Sequence, residues 1–262
     1  MKTIAILNLK GGVAKTTTAI NMSAILAAEH GQRVLLIDAD SQYDATKTLL
    51  PPEDYTTVTN LLLGEESYYL NAVVPSAIRG LDVVPSDMRL ATVGLPAVNG
   101  GRYSQRALVD LCDEVIETDA YDYVIIDCPS SFVHPGCQAA IMAADAIIIP
   151  VTGDEYSIPA ASTLAEQVEY MRSLNEGLRV AGCLVTKYRK SEAADAALYK
   201  LAEYATVHVY ETRIRYSPKV DGSTGSNDGV MGYSPRCAAA IDYRAWVQEF
   251  LVREEAVRRG ER

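Results

Sequence analysis

The N-terminus joins a short apolar run, Thr3-Ile4-Ala5-Ile6-Leu7, to Lys10-Gly11-Gly12-Val13-Ala14-Lys15-Thr16-Thr17. A helix-like segment, Thr16 to His30, follows and is closed by Gly31. No other stretch restricts the possible folds as strongly. A strand, a glycine turn and a helix N-terminus in that order make an anion site. Glycines let the backbone approach closely, successive N–H groups point inward, and the helix dipole adds partial positive charge. Lys15 is placed to reach terminal phosphates, and the Thr16 hydroxyl to hold Mg2+.

The ordinary phosphate-loop pattern, G-x-x-x-x-G-K-S/T, needs glycine at positions 9 and 14, where this chain has Leu9 and Ala14. What stands here is K-G-G-x-x-K-T, with a second lysine at the head of the loop. That is the deviant Walker A motif, and the chain resembles the ParA/MinD family of ATPases, in particular its DNA-partitioning members. The resemblance implies that Lys10 to Thr17 bind ATP and that Lys10 crosses a nucleotide-sandwich homodimer. There it would stabilise charge developing on the partner's phosphates, as an arginine finger does.

Strands are expected at Thr3–Asn8, Arg33–Asp38, Leu81–Pro85, Tyr123–Asp127, Ala146–Val151, Val180–Thr186 and Val207–Tyr210. Most are continuous apolar runs, as in strands covered on both faces. Helical segments lie between them: Val58–Leu63, Gln105–Thr118, Pro135–Ala144, Ser157–Leu174, Glu192–Tyr204 and Arg236–Val257. The alternation implies an α/β fold, a doubly wound, mostly parallel sheet of seven to eight strands with helices on both faces. One ATPase domain spanning residues 1–262 is expected, with no helix-turn-helix ahead of Thr3. The turn-rich stretch from Ser217 to Pro235 is long enough to be functional.

Ligands of such sheets sit at the carboxyl ends of strands. One strand ends in Asp38-Ala39-Asp40-Ser41-Gln42, another in Asp127-Cys128-Pro129-Ser130-Ser131. An apolar strand delivering Asp127 to a phosphate site is the Walker B arrangement, so Thr16, Asp38 and Asp127 are the candidate metal ligands. Asp38 and Asp40, two apart, would point the same way from an extended strand end, one toward Mg2+ and one toward an attacking water. D-x-D-x-Q resembles the family's D-x-D-P-Q-x-N, which implies Asp40 as the water-activating residue. Lys10, Lys15 and Asp40 are then the catalytic candidates. Ser41, Asp44 and Ser130 depart from the family pattern and should loosen the two loops. Asp154-Glu155-Tyr156-Ser157 resembles the family's dimer-facing loop.

The hydrophobic share is 48% and the net charge is −10, which argues against adhesion to nucleic acid over the whole surface. The charge is uneven, however. Arg179 to Lys219 holds eight basic residues against four acidic ones. Arg189, Lys190 and Arg215 within it are the DNA-binding candidates, with Lys187 at a strand end and able to face nucleotide instead. Five scattered cysteines without C-x-x-C read as buried thiols and give no iron–sulfur or zinc spacing. His30, His134 and His208 carry no triad or metal spacing. No apolar run reaches the ~18 residues that span a bilayer.

The resulting expectation is a cytoplasmic, nucleoid-associated partitioning ATPase. It would dimerise with ATP, bind duplex DNA without sequence preference, and be released when a ParB-like centromere-binding protein stimulates hydrolysis. Two alternatives share the loop. A MinD-like membrane-positioning ATPase needs a basic amphipathic tail, whereas Arg253 to Arg262 is nearly neutral and offers only Ala256 and Val257 as apolar residues. An ATP-dependent synthetase or amidase needs a small-molecule pocket that the sequence does not announce.

Overall fold

Eight strands form one sheet in the order β3-β4-β2-β5-β1-β6-β7-β8. They are β1 (Lys2–Ile6), β2 (Val34–Asp38), β3 (Val74–Pro75), β4 (Leu81–Val84), β5 (Tyr123–Asp127), β6 (Ala146–Thr152), β7 (Arg179–Tyr188) and β8 (Val209–Arg215). All pairings are parallel except the short β3–β4 edge. The computed structural model describes residues 1–152, 160–204, 207–223, 226 and 229–260.

The helices are α1 (Lys15–Ala28), α2 (Asp44–Leu49), α3 (Val58–Leu63), α4 (Ala107–Thr118), α5 (Pro135–Ala143), α6 (Ala160–Leu174), α7 (Glu192–Tyr204), α8 (Pro218–Asp221), α9 (Gly229–Tyr233) and α10 (Ala238–Arg258). Alternation along β1 sorts them into two layers. Ile4 and Ile6 pack with α1, α2 and α10, where Trp246 and Phe250 are fully buried. Ala5 and Leu7 pack with α3, α4 and α5 on the other face. Because both faces are covered, the central strands are apolar throughout, which is why they were legible as continuous runs.

The stretch from Ser217 to Pro235 is not one open loop: it carries α8 and α9. Ser217 caps α8 by accepting from the Lys219 N–H. Gly229 sits at φ +59, and a Cβ there would lie 2.8 Å from Ile20 Cγ2, so α9 is seated directly on α1. At the amino-terminal ends of the strands, buried Glu254 of α10 forms ion pairs with Lys2 of β1 and Arg179 of β7. This ties the last helix across the central strands.

One expected boundary shifts for a clear physical reason. The last strand was expected at Val207–Tyr210 but runs Val209–Arg215. It is an edge strand, and exposed Glu211, Arg213 and Arg215 break its apolar pattern. The helix expected from Ser157 is described from Ala160, and the expected dimer-facing residues Asp154-Glu155-Tyr156-Ser157 lie outside the described residues.

Candidate nucleotide and metal site

β1 lies at the centre of the sheet, between β5 and β6, and the loop from Asn8 to Ala14 leaves its carboxyl end. Three anchors fix that loop. Asn8 Nδ2 donates to Pro150 O at 2.7 Å, and Asn8 Oδ1 accepts from the Lys10 N–H at 2.9 Å. The Thr186 hydroxyl spans Val13 O (2.9 Å) and Val151 O (3.2 Å), joining the loop to β6 and β7. Behind it, the hydroxyls of Thr18 and Tyr243 share a buried hydrogen bond of 3.1 Å.

The turn into α1 is strained. Gly12 has φ +74, which suits glycine, but Ala14 also sits at φ 65, a region costing an L-residue about 1–2 kcal/mol. Ala14 occupies the place of the last glycine in the ordinary pattern, so the backbone keeps that geometry without the residue suited to it. Ala14→Gly is therefore expected to stabilise the fold by about 0.5–1 kcal/mol, since relief of strain exceeds the added chain entropy. Thermal denaturation should show a rise of a few degrees with nucleotide affinity unchanged; a lower melting temperature would contradict the strain.

The same turn leaves α1 open at its positive end. Ala14 makes no side-chain cap, and the first turn holds no acidic residue. Orphan N–H groups and the helix dipole are thus left for an external anion. A Cβ added at Gly11 or Gly12 would meet no described atom within 4 Å, so there is open space beside both glycines. Lys15 is buried at the head of the helix, Thr16 and Thr17 are half-buried, and Lys10 is exposed with its Nζ 3.3 Å from Thr152 Oγ1.

The two strand-end carboxylates are adjacent, since Asp38 and Asp127 are paired in register across β2 and β5. Both are fully buried. Their surroundings differ. Asp38 Oδ2 accepts from the Thr46 N–H (2.9 Å) and hydroxyl (2.7 Å), and Oδ1 from the Asp40 N–H (3.2 Å). Neither Asp127 oxygen makes a hydrogen bond of good geometry among the described residues, and the Thr16 hydroxyl is close enough to influence the carboxyl. Burial drives its carboxyl well above the usual range, Asp38 adds to this, and Thr16 and Lys15 oppose it. Burial also raises Asp38, with the Thr46 bonds pulling it back.

A buried carboxylate with neither oxygen well hydrogen-bonded fits a divalent cation. Asp127 and the Thr16 hydroxyl would hold Mg2+ if it binds here, with Asp38 keeping a single lone pair beyond its three donors. Such an ion, when bound, neutralises charge on the terminal phosphates. β2 ends at Asp38, so strand periodicity alone does not set the direction of Asp40, which is half-buried in the following turn and accepts from the Gln42 N–H at 3.0 Å.

Asp44, expected to loosen this segment, opens α2 instead. It sits in the first turn, where a carboxylate favours the dipole, and pairs with Lys47. Ser41 is buried and Ser130 exposed. Cys128 and Cys137 flank the second loop as inert thiols; burial holds Cys128 well above its usual value and pushes Cys137 up to about 12.

Beside the loop, Ala14, Thr17, Thr186, Lys187, Arg215 and Tyr243 are among the residues lining a small cleft of about 30 Å3, which adjoins the first turn of α1. Of these, Ala14, Thr17, Lys187 and Arg215 were already singled out in the sequence, and Thr186 and Tyr243 were not. Lys187 sits at φ 51, a strained conformation at the end of β7.

The expected DNA contacts separate into two kinds. Exposed Arg189 lies over the Tyr216 ring at 3.8 Å, next to exposed Lys190. Arg215, by contrast, is joined to Asp242 of α10 through two guanidinium bonds of 2.8 Å each.

A strand-end phosphate loop, an open helix N-terminus and two buried strand-end aspartates on a parallel sheet define a P-loop nucleotide-binding protein. A family model described as "AAA domain" matches residues 1–180. The chain is 33% identical to the chromosome partitioning protein ParA of Caulobacter vibrioides, over 97% of this chain and 95% of that one. It is 31% identical to the sporulation initiation inhibitor protein Soj of Bacillus subtilis, over 92% and 95%. Its fold superposes with a TM-score of 0.79 and 26% identity on cobyrinic acid a,c-diamide synthase of Mycobacterium smegmatis, solved with an ATP analogue and magnesium, covering 98% of this chain and 96% of that one. The chain belongs to the ParA/MinD family of P-loop ATPases.

Proposed function

We propose that this ATPase partitions DNA: ATP closes a homodimer, the dimer binds duplex DNA without sequence preference, and hydrolysis stimulated by a ParB-like partner releases it. The carrying observation is the basic corner at the end of β7. Exposed Arg189 and Lys190 stand there beside the cleft that borders the phosphate loop, so nucleotide and DNA sites share one strand end. Near-full-length similarity to a protein named for chromosome partitioning supports the same reading. Mg2+ is the expected metal and ATP the expected nucleotide, held by Lys10 to Thr17.

In this reading Lys15 neutralises the terminal phosphates and Asp40 orients the attacking water. Exposed Lys10 reaches the partner's phosphates, where it stabilises charge in a loose transition state. ATP favours the dimer because only the dimer completes this site, and paired basic corners give the dimer its DNA affinity. Arg215 contributes less than Arg189 and Lys190, since Asp242 already occupies its guanidinium in a bidentate pair.

The test is filter binding of two unrelated duplexes across a salt series, with a non-hydrolysable ATP analogue. Both should bind alike, with affinity falling steeply as salt rises. Arg189→Glu should weaken both equally and reduce the salt slope by roughly one, leaving ATP affinity unchanged. Nucleotide-dependent recruitment to anionic liposomes but not to DNA would refute partitioning. No described helix is long and apolar enough to cross a membrane, so such recruitment would have to be interfacial.

A further inference from the structure

His134 was set aside in the sequence because nothing near it in the chain suggests chemistry. The structure places it at the N-cap of α5, at the end of the loop that follows Asp127. Its Nδ1 accepts from the Gly136 N–H at 3.2 Å. That bond needs the Nδ1 lone pair, so the neutral ring carries its proton on Nε2. Burial lowers the imidazole's proton affinity and keeps the ring neutral. The result is a donor of fixed tautomer.

Nε2 is enclosed and has no hydrogen-bond partner. A buried donor left unmade costs about 1–3 kcal/mol, so an acceptor arriving there is favoured by a similar amount. Capping alone does not explain histidine at this position, because Ser caps a helix at least as well without burying a second polar atom.

The start of α5 packs against the loop after β2. A Cβ on Gly136 would lie 2.1 Å from the Ala39 carbonyl oxygen, so residue 136 has room only for glycine and the two segments touch. Ala39 precedes Asp40, and Asp40 is the charged group whose field acts on the His134 ring. Asp40 uses one oxygen to cap its own turn at Gln42. Its other oxygen accepts nothing among the described residues.

We propose that His134 is a positioning residue for Asp40: its Nε2–H donates to the free Asp40 oxygen when the Ala39–Tyr43 loop settles over bound nucleotide, and so aims the other oxygen at the attacking water. Contact between the loops makes the movement small. A carboxylate held by the Gln42 N–H on one side and by an imidazole on the other has one orientation, which is what in-line attack requires. The inference rests on the assignment of water activation to Asp40, and its test separates the two.

His134→Asn keeps an N-cap side chain and removes the Nε2 donor. Steady-state turnover should fall by about tenfold to a hundredfold, with KM for ATP and the melting temperature near wild type. His134→Gln, which restores a distal N–H, should recover part of the rate. In the wild type with a non-hydrolysable ATP analogue and Mg2+, proton–nitrogen NMR of the imidazole should show the Nε2–H resonance shifted downfield by its new hydrogen bond. That shift should be absent without nucleotide and absent in Asp40→Ala. Wild-type turnover by His134→Asn, or an Nε2–H whose resonance does not move when the analogue binds, would overturn the inference. If Asp40→Ala itself hydrolyses at the wild-type rate, the Asp40 assignment falls. Loss of activity in Asp40→Ala with full activity in His134→Asn would leave that assignment standing and remove only the role of His134.

Discussion

Lys15→Ala is expected to remove measurable Mg-ATP binding while the protein stays folded. Lys15 is buried at the head of α1, whose uncapped N–H groups face the same space, so it supplies the full positive charge at the phosphate position. Lys10 is exposed at the far end of the loop and does not replace it within one chain. Deleting one partner of a desolvated charge pair costs about 2–5 kcal/mol, roughly one and a half to three and a half decades in Kd. The fold should tolerate the change, because alanine is a better helix former than lysine and Lys15 forms no ion pair among the described residues. Calorimetric titration with Mg-ATP, beside circular dichroism of the nucleotide-free variant, measures both. A Kd within threefold of wild type would refute the assignment of this loop to the phosphates.

The loop could be read in the sequence because it is local: its chemistry lies within ten residues, and strand and helix flank it directly. The same holds for Asp127, whose apolar strand announces it. α3 and α7 coincide with expectation at both ends, since Val58–Leu63 and Glu192–Tyr204 are bounded by clear breaks in pattern. Shorter elements left less trace. α2 holds two threonines in six residues and no apolar stripe, and β3 is two residues long and contains Pro75. Assembled features were not legible at all. The cleft beside the loop joins Ala14, Thr186 and Tyr243, and Arg215 finds its carboxylate 27 residues away at Asp242. His134 acquires its meaning from Gly136 seated on Ala39, a contact no spacing rule encodes.

The expected effect of Asp127→Asn runs in opposite directions with and without ligand. In the nucleotide-free protein Asp127 is a fully buried carboxylate with no hydrogen bond of good geometry to either oxygen among the described residues, facing Asp38 one strand away. Its carboxyl is raised well above the usual value by burial first and by Asp38 second. A carboxyl raised in the folded state contributes stability that is full below its unfolded value and lost as pH rises through the folded one. Neutral asparagine avoids that loss. The variant should therefore melt higher than wild type without metal, by about 1–3 kcal/mol or several degrees, with the difference widening from pH 5 to pH 8. Mg-ATP should reverse the order, because ligand bound only by the folded state stabilises in proportion to its affinity, and the amide has lost the charge that holds the cation. Thermal melts at a series of pH values, each with and without Mg-ATP, would show this crossing. Equal melting temperatures at every pH, together with equal gains from Mg-ATP, would remove Asp127 from the metal site and leave its unpaired oxygens without a function.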